Sequence, residues 1–171
     1  MYQIECFSEA QAKGFLPELV SLLQNVVNSG ASVGFLPPLN SHTASQYWLE
    51  VFDALKNKSR LLLVARYGLT VVGTVQLDLC TRANGLHRAE VTKLMVHTAY
   101  RRRGIGYSLM EAVESEARII GRTTLVLDTR LGDVSEKLYT KIGYIKVGEI
   151  PNYAKSADGS LHTTVIYYRL L

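Results

Sequence analysis

The stretch AYRRRGIGYSLM, residues 99–110, decides the fold. Its three arginines lead into Gly104-Ile105-Gly106, and apolar residues then recur at helical spacing from Gly104 to Ile120. This periodicity predicts an amphipathic helix that begins at the glycines. The first amides of a helix lack internal partners and its dipole is positive at that end, so the stretch is suited to hold a phosphate group. An exposed basic loop without a ligand is the alternative.

Other phosphate motifs and a nucleic-acid surface compete with this interpretation. The spacing matches neither GxxxxGK[ST] of the Walker loop nor GxGxxG of dinucleotide-binding domains. The predicted helix carries acidic residues on the side that should face water, and a polyanionic nucleic acid repels such a surface. These residues are Glu111, Glu114 and Glu116. No nucleic-acid partner is therefore expected, although the formal net charge of +4 permits an anionic ligand.

The size and composition of the chain are typical of one globular domain over residues 1–171. Hydrophobic residues make up 47% of the sequence and charged residues 20%. No apolar run approaches the roughly 18 residues that cross a membrane, and the N-terminus lacks the features of a signal peptide. We therefore expect a cytoplasmic protein without a membrane partner. Cys6 and Cys80 are predicted to be small buried thiols, and no cysteine or histidine spacing predicts a metal site.

Outward from the glycines, the hydrophobic pattern alternates between strand and helix periods. Strand, helix and strand between Arg88 and Thr129 predict a parallel pair, and a hairpin at Tyr67-Gly68 predicts antiparallel neighbours. The fold class is therefore α/β (α+β): a mixed, mostly antiparallel sheet of six to seven strands with a central parallel pair and helices on both faces. The predicted strands are 3–7, 60–66, 69–80, 88–96, 123–129, 144–150 and 163–170, and the predicted helices are 16–28, 41–56, 104–120 and 133–142.

Several motifs, in order along the chain, resemble the GCN5-related N-acetyltransferase (GNAT) family. Residues 101–106 resemble the family's [RQ]xxGx[GA] signature, a loop that binds the pyrophosphate of coenzyme A. KLMV (93–96) resembles its central strand, and LDT (127–129) with LYTKIGY (138–144) resembles its second half. The resemblance implies the GNAT fold, acetyl-CoA as co-substrate and a site without metal. The cofactor-binding residues it implies are Leu94, Met95, Val96, Arg101, Arg102, Arg103, Gly104, Ile105, Gly106, Tyr107, Ser108, Ser135 and Tyr139.

The resemblance also assigns roles for direct transfer of an acetyl group to an amine. Tyr139 matches the family tyrosine that gives a proton to the departing sulfur. Glu90 and Asp128 are both candidates for the base that removes a proton from the amine. A backbone amide of the LMV segment, first of all that of Met95, would stabilise the oxyanion. The family often has Asn seven residues before the tyrosine to reach the pantetheine, and Gly132 occupies that position here.

The expected acceptor is the primary amine of a small molecule. GASVGF (30–35) and segments near the C-terminus resemble family members that acetylate a β-lactam amino-acid toxin, so toxin or antibiotic resistance is an expected role. A protein N-terminus or lysine is the alternative acceptor, and a non-catalytic CoA-binding sensor is the alternative of another class. Pairing through the C-terminal strands would make the protein a homodimer. The predicted substrate-binding residues are Ser32, Val33, Phe35, Asn152 and Tyr153.

Overall fold

A computed structural model describes the whole chain, Met1–Leu171. The strands are β1 (Gln3–Cys6), β2 (Arg60–Tyr67), β3 (Thr70–Leu79), β4 (Arg88–Val96), β5 (Thr124–Arg130), β6 (Ile145–Lys155) and β7 (Leu161–Leu170). The α-helices are α1 (Glu9–Gly14), α2 (Leu16–Asn28), α3 (Ser41–Lys56), α4 (Ile105–Ile119) and α5 (Val134–Lys141). All seven strands form one sheet in the order β1-β2-β3-β4-β5-β7-β6.

The sheet is mixed, and helices cover both of its faces. Every neighbouring pair is antiparallel except β4 and β5, which form a central parallel pair. Helices α1, α2 and α3 pack on one face around the fully buried Trp48 and Phe52. Helices α4 and α5 pack on the other face, where Leu109 and Tyr139 join the core. The predicted fold class is confirmed.

The two strands of the parallel pair separate soon after they meet. Their register contains only Arg88↔Thr124, Ala89↔Leu125 and Glu90↔Val126. Both strands continue beyond these pairs, to Val96 and to Arg130, without pairing to each other. A gap therefore opens in the middle of the sheet, and the edge of β4 that faces it has no strand partner from residue 91 onward.

A β-bulge bends β4 beside this gap. Thr74 of β3 pairs with Met95, and Gln76 pairs with Thr92, so β4 contains one residue more than β3 over this stretch. Lys93 absorbs the extra residue with φ of 52°, in the left-handed region that non-glycine residues rarely adopt. The bulge gives this part of β4 its own direction relative to β3.

Helix α4 lies unusually close to β3, and a glycine makes this approach possible. A Cβ atom on Gly73 would lie 2.9 Å from the Met95 carbonyl oxygen and 3.1 Å from Leu109 Cδ1. Real Cβ atoms do not approach backbone oxygens this closely, so any larger residue would disturb the pairing of β3 with β4 and would also press on the α4 side chains of Leu109 and Ile105. Gly73 thereby helps to set the position of the helix that begins at the arginine–glycine stretch.

Two predictions about secondary structure are corrected. Helix α1 was not predicted; its N-cap is Ser8, which forms a capping box: Gln11 N donates to Ser8 Oγ and Ser8 N donates to Gln11 Oε1. The predicted sixth strand also ended too early, at residue 150. Strand β6 instead continues to Lys155 through an irregularity around Asn152, because an edge strand tolerates the missing amide of Pro151.

Two predictions about burial are also wrong. Glu114 was expected to face water, but it is 5% exposed because Arg169 of β7 reaches over it and pairs with its carboxylate at 3.1 Å. Burial is the larger influence on the Glu114 carboxyl and raises its pKa, although Arg169 opposes the shift. The cysteines are not buried: Cys6 is exposed on the edge strand β1, and Cys80 is half-buried just after β3.

Candidate active site

The start of α4 presents a row of free backbone amides. Gly104 is the N-cap with φ of 81°, and no side chain caps the helix. The first helical hydrogen bond runs from Ser108 N to Gly104 O at 3.0 Å, so the amides of residues 104–107 have no partner in the protein. The helix dipole adds partial positive charge at the same place. This end of α4 can therefore accept a phosphate-bearing ligand through its main chain.

The three arginines before Gly104 are exposed, and two of them are held by neighbouring groups. Arg101 Nε donates to Val96 O at 3.2 Å, and its Nη2 donates to Ser29 Oγ at 3.1 Å. Arg103 donates to a backbone carbonyl and lies over the Tyr100 ring, 5.3 Å from its centroid. Arg102 has φ of 64° and makes no ion pair. The loop is thus a fixed basic rim beside the free amides.

The residues that follow Gly104 would contribute main-chain groups, because their side chains are engaged elsewhere. Ser108 Oγ lies 3.0 Å from the Tyr2 hydroxyl. The Tyr107 ring lies 5.9 Å from Lys141 Nζ. Gly106 places the helix start against the gap, since a Cβ there would lie 3.6 Å from Leu138 of α5 and 3.8 Å from Val96 at the end of β4.

Tyr139 is the buried aromatic residue of α5, directly after Leu138. It is 6% exposed and packs against Tyr144 and Tyr167, with ring centroids 5.9 Å and 6.1 Å away. Burial raises the pKa of its hydroxyl well above the ordinary value, and the charges of Asp128 and Asp133 add to the shift. The phenol therefore stays protonated at neutral pH and can act only as a proton donor there.

The turn between β5 and α5 explains the glycine at position 132. Gly132 has φ of 85°, and its amide donates to Glu136 Oε1 at 2.6 Å. The other oxygen of Glu136 accepts from the Tyr167 hydroxyl at 2.6 Å, and this bond lowers the pKa of the carboxyl. Ser135 Oγ lies 2.7 Å from Thr129 Oγ1. The turn is ordered by Glu136, which the sequence analysis did not identify.

The two candidate bases share one face of the sheet. Glu90 alternates with Ala89 and Val91, which belong to the α4 side of the core, so Glu90 projects from the opposite face. The same alternation places Asp128 on that opposite face, where its Oδ2 accepts from Thr164 Oγ1 at 2.7 Å. Partial burial raises the pKa of Glu90, and the nearby charges of Asp78 and Asp128 raise it further.

The gap in the sheet lies between these groups. Tyr139 belongs to the core on the α4 side, whereas Glu90 and Asp128 project from the α3 side. Asp128 is close enough to Tyr139 for its charge to add to the raised pKa of the phenol. The phenol and the two carboxylates are therefore on opposite faces of the sheet.

Lys93 is a residue near this site that the sequence analysis missed. Its side chain is half-buried, and its Nζ lies 5.8 Å from the centroid of the Tyr47 ring. The Tyr47 hydroxyl is hydrogen bonded to Gln76, which also accepts from Arg60. A lysine directly before Leu-Met-Val was the only sequence signal, and it does not reveal the bulge that turns Lys93 toward α3.

The predicted substrate residues fall into two groups. Val33 and Phe35 pack partly against the α2–α3 core, with Phe35 edge-on to Tyr47 at 5.3 Å, and Ser32 is exposed beside them. This loop therefore lies on the same side of the sheet as the candidate bases. Asn152 and Tyr153 are exposed on β6, which β7 separates from β5, so the structure does not bring them to the gap.

Comparison with known proteins identifies the family. A family model described as the Acetyltransferase (GNAT) family matches residues 32–144, the part of the chain that contains the gap, the free amides and Tyr139. The chain belongs to this family. It is an acetyltransferase of GNAT type. No cluster of three or more His, Cys, Asp or Glu residues in this acetyltransferase could hold a metal ion. None of its helices combines the length and apolar character that a membrane span requires.

Individual relatives agree with this assignment. The acetyltransferase is 32% identical over 119 residues to an uncharacterized N-acetyltransferase of Azospirillum brasilense, which covers 68% of this chain and 69% of the relative. The crystal structure of ribosomal-protein-alanine N-acetyltransferase from Brucella melitensis matches with a TM-score of 0.79, 21% identity and 99% coverage of both chains. A protein of Salmonella typhimurium assigned as an acetyltransferase, solved with its cofactor acetyl-CoA, matches with a TM-score of 0.79 and 16% identity, covering 100% of this chain and 94% of that chain. These two structures share its fold.

Proposed function

We propose that this protein is a single-domain, acetyl-CoA-dependent enzyme that transfers an acetyl group directly to the primary amine of a small molecule. The observation that carries the proposal is the gap between β4 and β5. It has a protonated phenol on one side, two carboxylates on the other and the free amides of α4 beside it. A sensor that only binds a nucleotide has no use for an acid and a base on opposite sides of an opening.

The residues of this chain fit acetyl-CoA, which when bound supplies the acetyl group as an activated thioester. The free amides of residues 104–107 and the basic rim of Arg101, Arg102 and Arg103 suit its diphosphate. The unpaired edge of β4, including Leu94, Met95 and Val96, offers main-chain groups to its amide-rich pantetheine arm. Ser135 stands near the same opening, although its hydroxyl is already bonded to Thr129.

Proton movements are assigned to three groups. A free alkyl amine is mostly protonated at pH 7, with a pKa near ~10, so a base must take its proton before it attacks. We assign this step to Glu90, because no protein hydrogen bond occupies its carboxylate and its raised pKa brings it closer to neutral pH. Asp128, already bonded to Thr164, holds negative charge beside it. Tyr139 donates the proton that the departing sulfur takes up, and the Met95 amide is the proposed oxyanion donor.

The proposed acceptor is small and partly apolar. The loop with Ser32, Val33 and Phe35 lies on the Glu90 side of the sheet and would form the wall of its pocket. The resemblance to the tabtoxin resistance acetyltransferase supports a β-lactam amino-acid toxin or antibiotic as the acceptor class, with resistance as the biological role. Asn152 and Tyr153 would contact the acceptor only if the edge strand β6 moved toward the pocket. A cytoplasmic homodimer that pairs along the exposed strand β6 completes the proposal.

The test combines cofactor binding with turnover. Calorimetry should detect acetyl-CoA binding to the purified chain, and thiol release should accelerate when small primary amines, including β-lactam amino acids, are added. Tyr139→Phe should lower kcat by about 100-fold, the lower range for loss of a general acid, while acetyl-CoA binding is retained. Absence of binding at millimolar acetyl-CoA would refute the proposal. Turnover of peptides but not of small amines would show that the acceptor is a protein N-terminus or lysine instead of a small molecule.

A further inference from the structure

We infer that Lys93 binds the carboxylate of the acceptor, so that the acceptor is a free amino acid and not a simple amine or a peptide. This inference rests on the proposed function, because it assumes that the α3 side of the gap receives the acceptor. The proposed proton transfers give the Lys93 side chain no role.

The Lys93 ammonium is held in a partly desolvated place without a counter-ion. Its side chain is half-buried, and it takes part in none of the ion pairs of the protein. A positive φ on β4 and the Tyr47 ring together direct it there. Its only close partner is the Tyr47 ring, and a partly buried cation without an ion-pair partner is costly, which surface lysines normally avoid by extending into water. A site of this kind gains stability when an anion enters it.

The loop on the acceptor side leaves room next to this ammonium. Gly34 has φ of 88°, and a Cβ atom there would lie 3.5 Å from Lys93 Nζ. A glycine at this position therefore keeps side-chain atoms away from the space in front of the cation. Phe35 and Tyr47 close one side of that space with their rings, which pack edge-on at 5.3 Å.

The charges around the gap match an amino acid. Arg60 is paired with Asp78. Burial lowers the pKa of Lys93 and the charge of Arg60 adds to this shift, whereas the carboxylates of Asp78, Asp128 and Glu90 oppose it. Glu90 and Asp128 are the two of these carboxylates that the proposed reaction uses. An amino acid would present its ammonium to these two carboxylates and its carboxylate to Lys93. A peptide N-terminus carries an amide at that position and would leave the lysine without its partner.

The experiment measures thiol release from acetyl-CoA by the full chain with matched acceptors: free amino acids, including β-lactam amino acids, and the corresponding amino-acid amides. Lys93→Met removes the charge with little change in length. We expect it to lower kcat/KM for the acids by about tenfold or more, the usual effect of losing a charge-assisted hydrogen bond, and to change the amides less than about twofold. Comparing variant with wild type for each acceptor cancels differences in amine basicity.

Two further variants keep the result interpretable. Lys56→Met changes an exposed lysine at the end of α3 and should alter neither class of acceptor. Lys93→Asn removes the same charge with a residue that tolerates positive φ. It takes the place of Lys93→Met if the methionine variant does not fold. Equal losses for acids and amides, or none, would overturn the inference. Acetyl-CoA binding without transfer to any amino acid would overturn it while the cofactor site stands. Failure to bind acetyl-CoA would overturn the proposed function and the inference together.

Discussion

Replacing Gly104 by alanine tests whether the backbone at the start of α4 holds the cofactor. Gly104 has φ of 81°, and the nearest atom to an added Cβ, the Tyr2 hydroxyl oxygen, is 4.0 Å away. The methyl group therefore meets no obstacle, and the whole cost is backbone strain of about 1–2 kcal/mol. If the loop keeps its shape, the strain lowers the free energy of unfolding and lowers Tm by roughly 2–8 °C for a chain of this size.

If the loop instead relaxes, the same strain returns when the ligand binds. The Kd for acetyl-CoA would then rise by about 5–30-fold, the equivalent of about 1–2 kcal/mol. The expected result is that the loss of stability and the loss of binding free energy together amount to roughly this strain. Thermal unfolding measures the first quantity and isothermal titration calorimetry with acetyl-CoA measures the second.

Gly106→Ala is the matched control. Gly106 has no positive φ, and an added Cβ would make only ordinary contacts at 3.6 Å and 3.8 Å. Alanine should therefore stabilise the helix by about 0.5–1 kcal/mol and leave acetyl-CoA binding within a few-fold of wild type. A Gly104→Ala variant with unchanged Tm and unchanged Kd would refute the reasoning, because the amides would then not depend on that conformation.

Four other outcomes are expected. In pH–rate profiles, wild-type activity should rise with pH through the raised pKa of Glu90. Glu90→Gln should lose this acidic limb, whereas Asp128→Asn should keep the limb at a shifted pH. If Asp128→Asn loses the limb and Glu90→Gln keeps it, Asp128 is the base. A carboxyl with a raised pKa stabilises the native state at low pH, and this contribution is lost as pH rises through that pKa. The free energy of unfolding of Glu90→Gln should therefore increase relative to wild type over the same pH range. Denaturant titrations at several pH values measure this difference. Tyr144→Phe removes a buried hydroxyl without a hydrogen-bond partner, so it should raise the free energy of unfolding by up to about 1 kcal/mol. Unlike Tyr139→Phe, it should leave turnover unchanged. A loss of turnover would show that the two phenols are not distinct in role. Gly73→Ala places a Cβ too close to the Met95 carbonyl oxygen of β4 and against Leu109 of α4, so it should lower the free energy of unfolding in denaturant titrations by about 1–3 kcal/mol. A neutral effect would contradict the close packing described.

Elements with a long hydrophobic period were predictable from the sequence. The boundaries of α2 and α3 and of strand β4 agree with the pattern, because each spans enough residues for its apolar positions to define one face. The six-residue helix α1 is too short for such a stripe, and only the Ser8–Gln11 capping box could have indicated it. Strand β6 was cut short because Pro151 was treated as a strand end, although the strand lies at the sheet edge.

The site was predictable where it follows from local motifs and not where it follows from packing. The uncapped glycine at position 104 and the buried phenol at position 139 occur where the motifs indicated. Lys93 was missed because nothing about lysine signals a bulge, which arises from a mismatch of length between β3 and β4. Glu114 was placed on the wrong surface because its partner, Arg169, is distant in sequence.

An opening through the centre of the sheet has a kinetic consequence for a two-substrate enzyme. If donor and acceptor enter from opposite faces, neither has to leave before the other arrives, and no acylated form of the protein is needed to carry the group between them. Initial-rate plots at varied concentrations of both substrates should therefore give intersecting lines. An inhibitor confined to one face should raise the apparent KM of only the substrate that occupies that face.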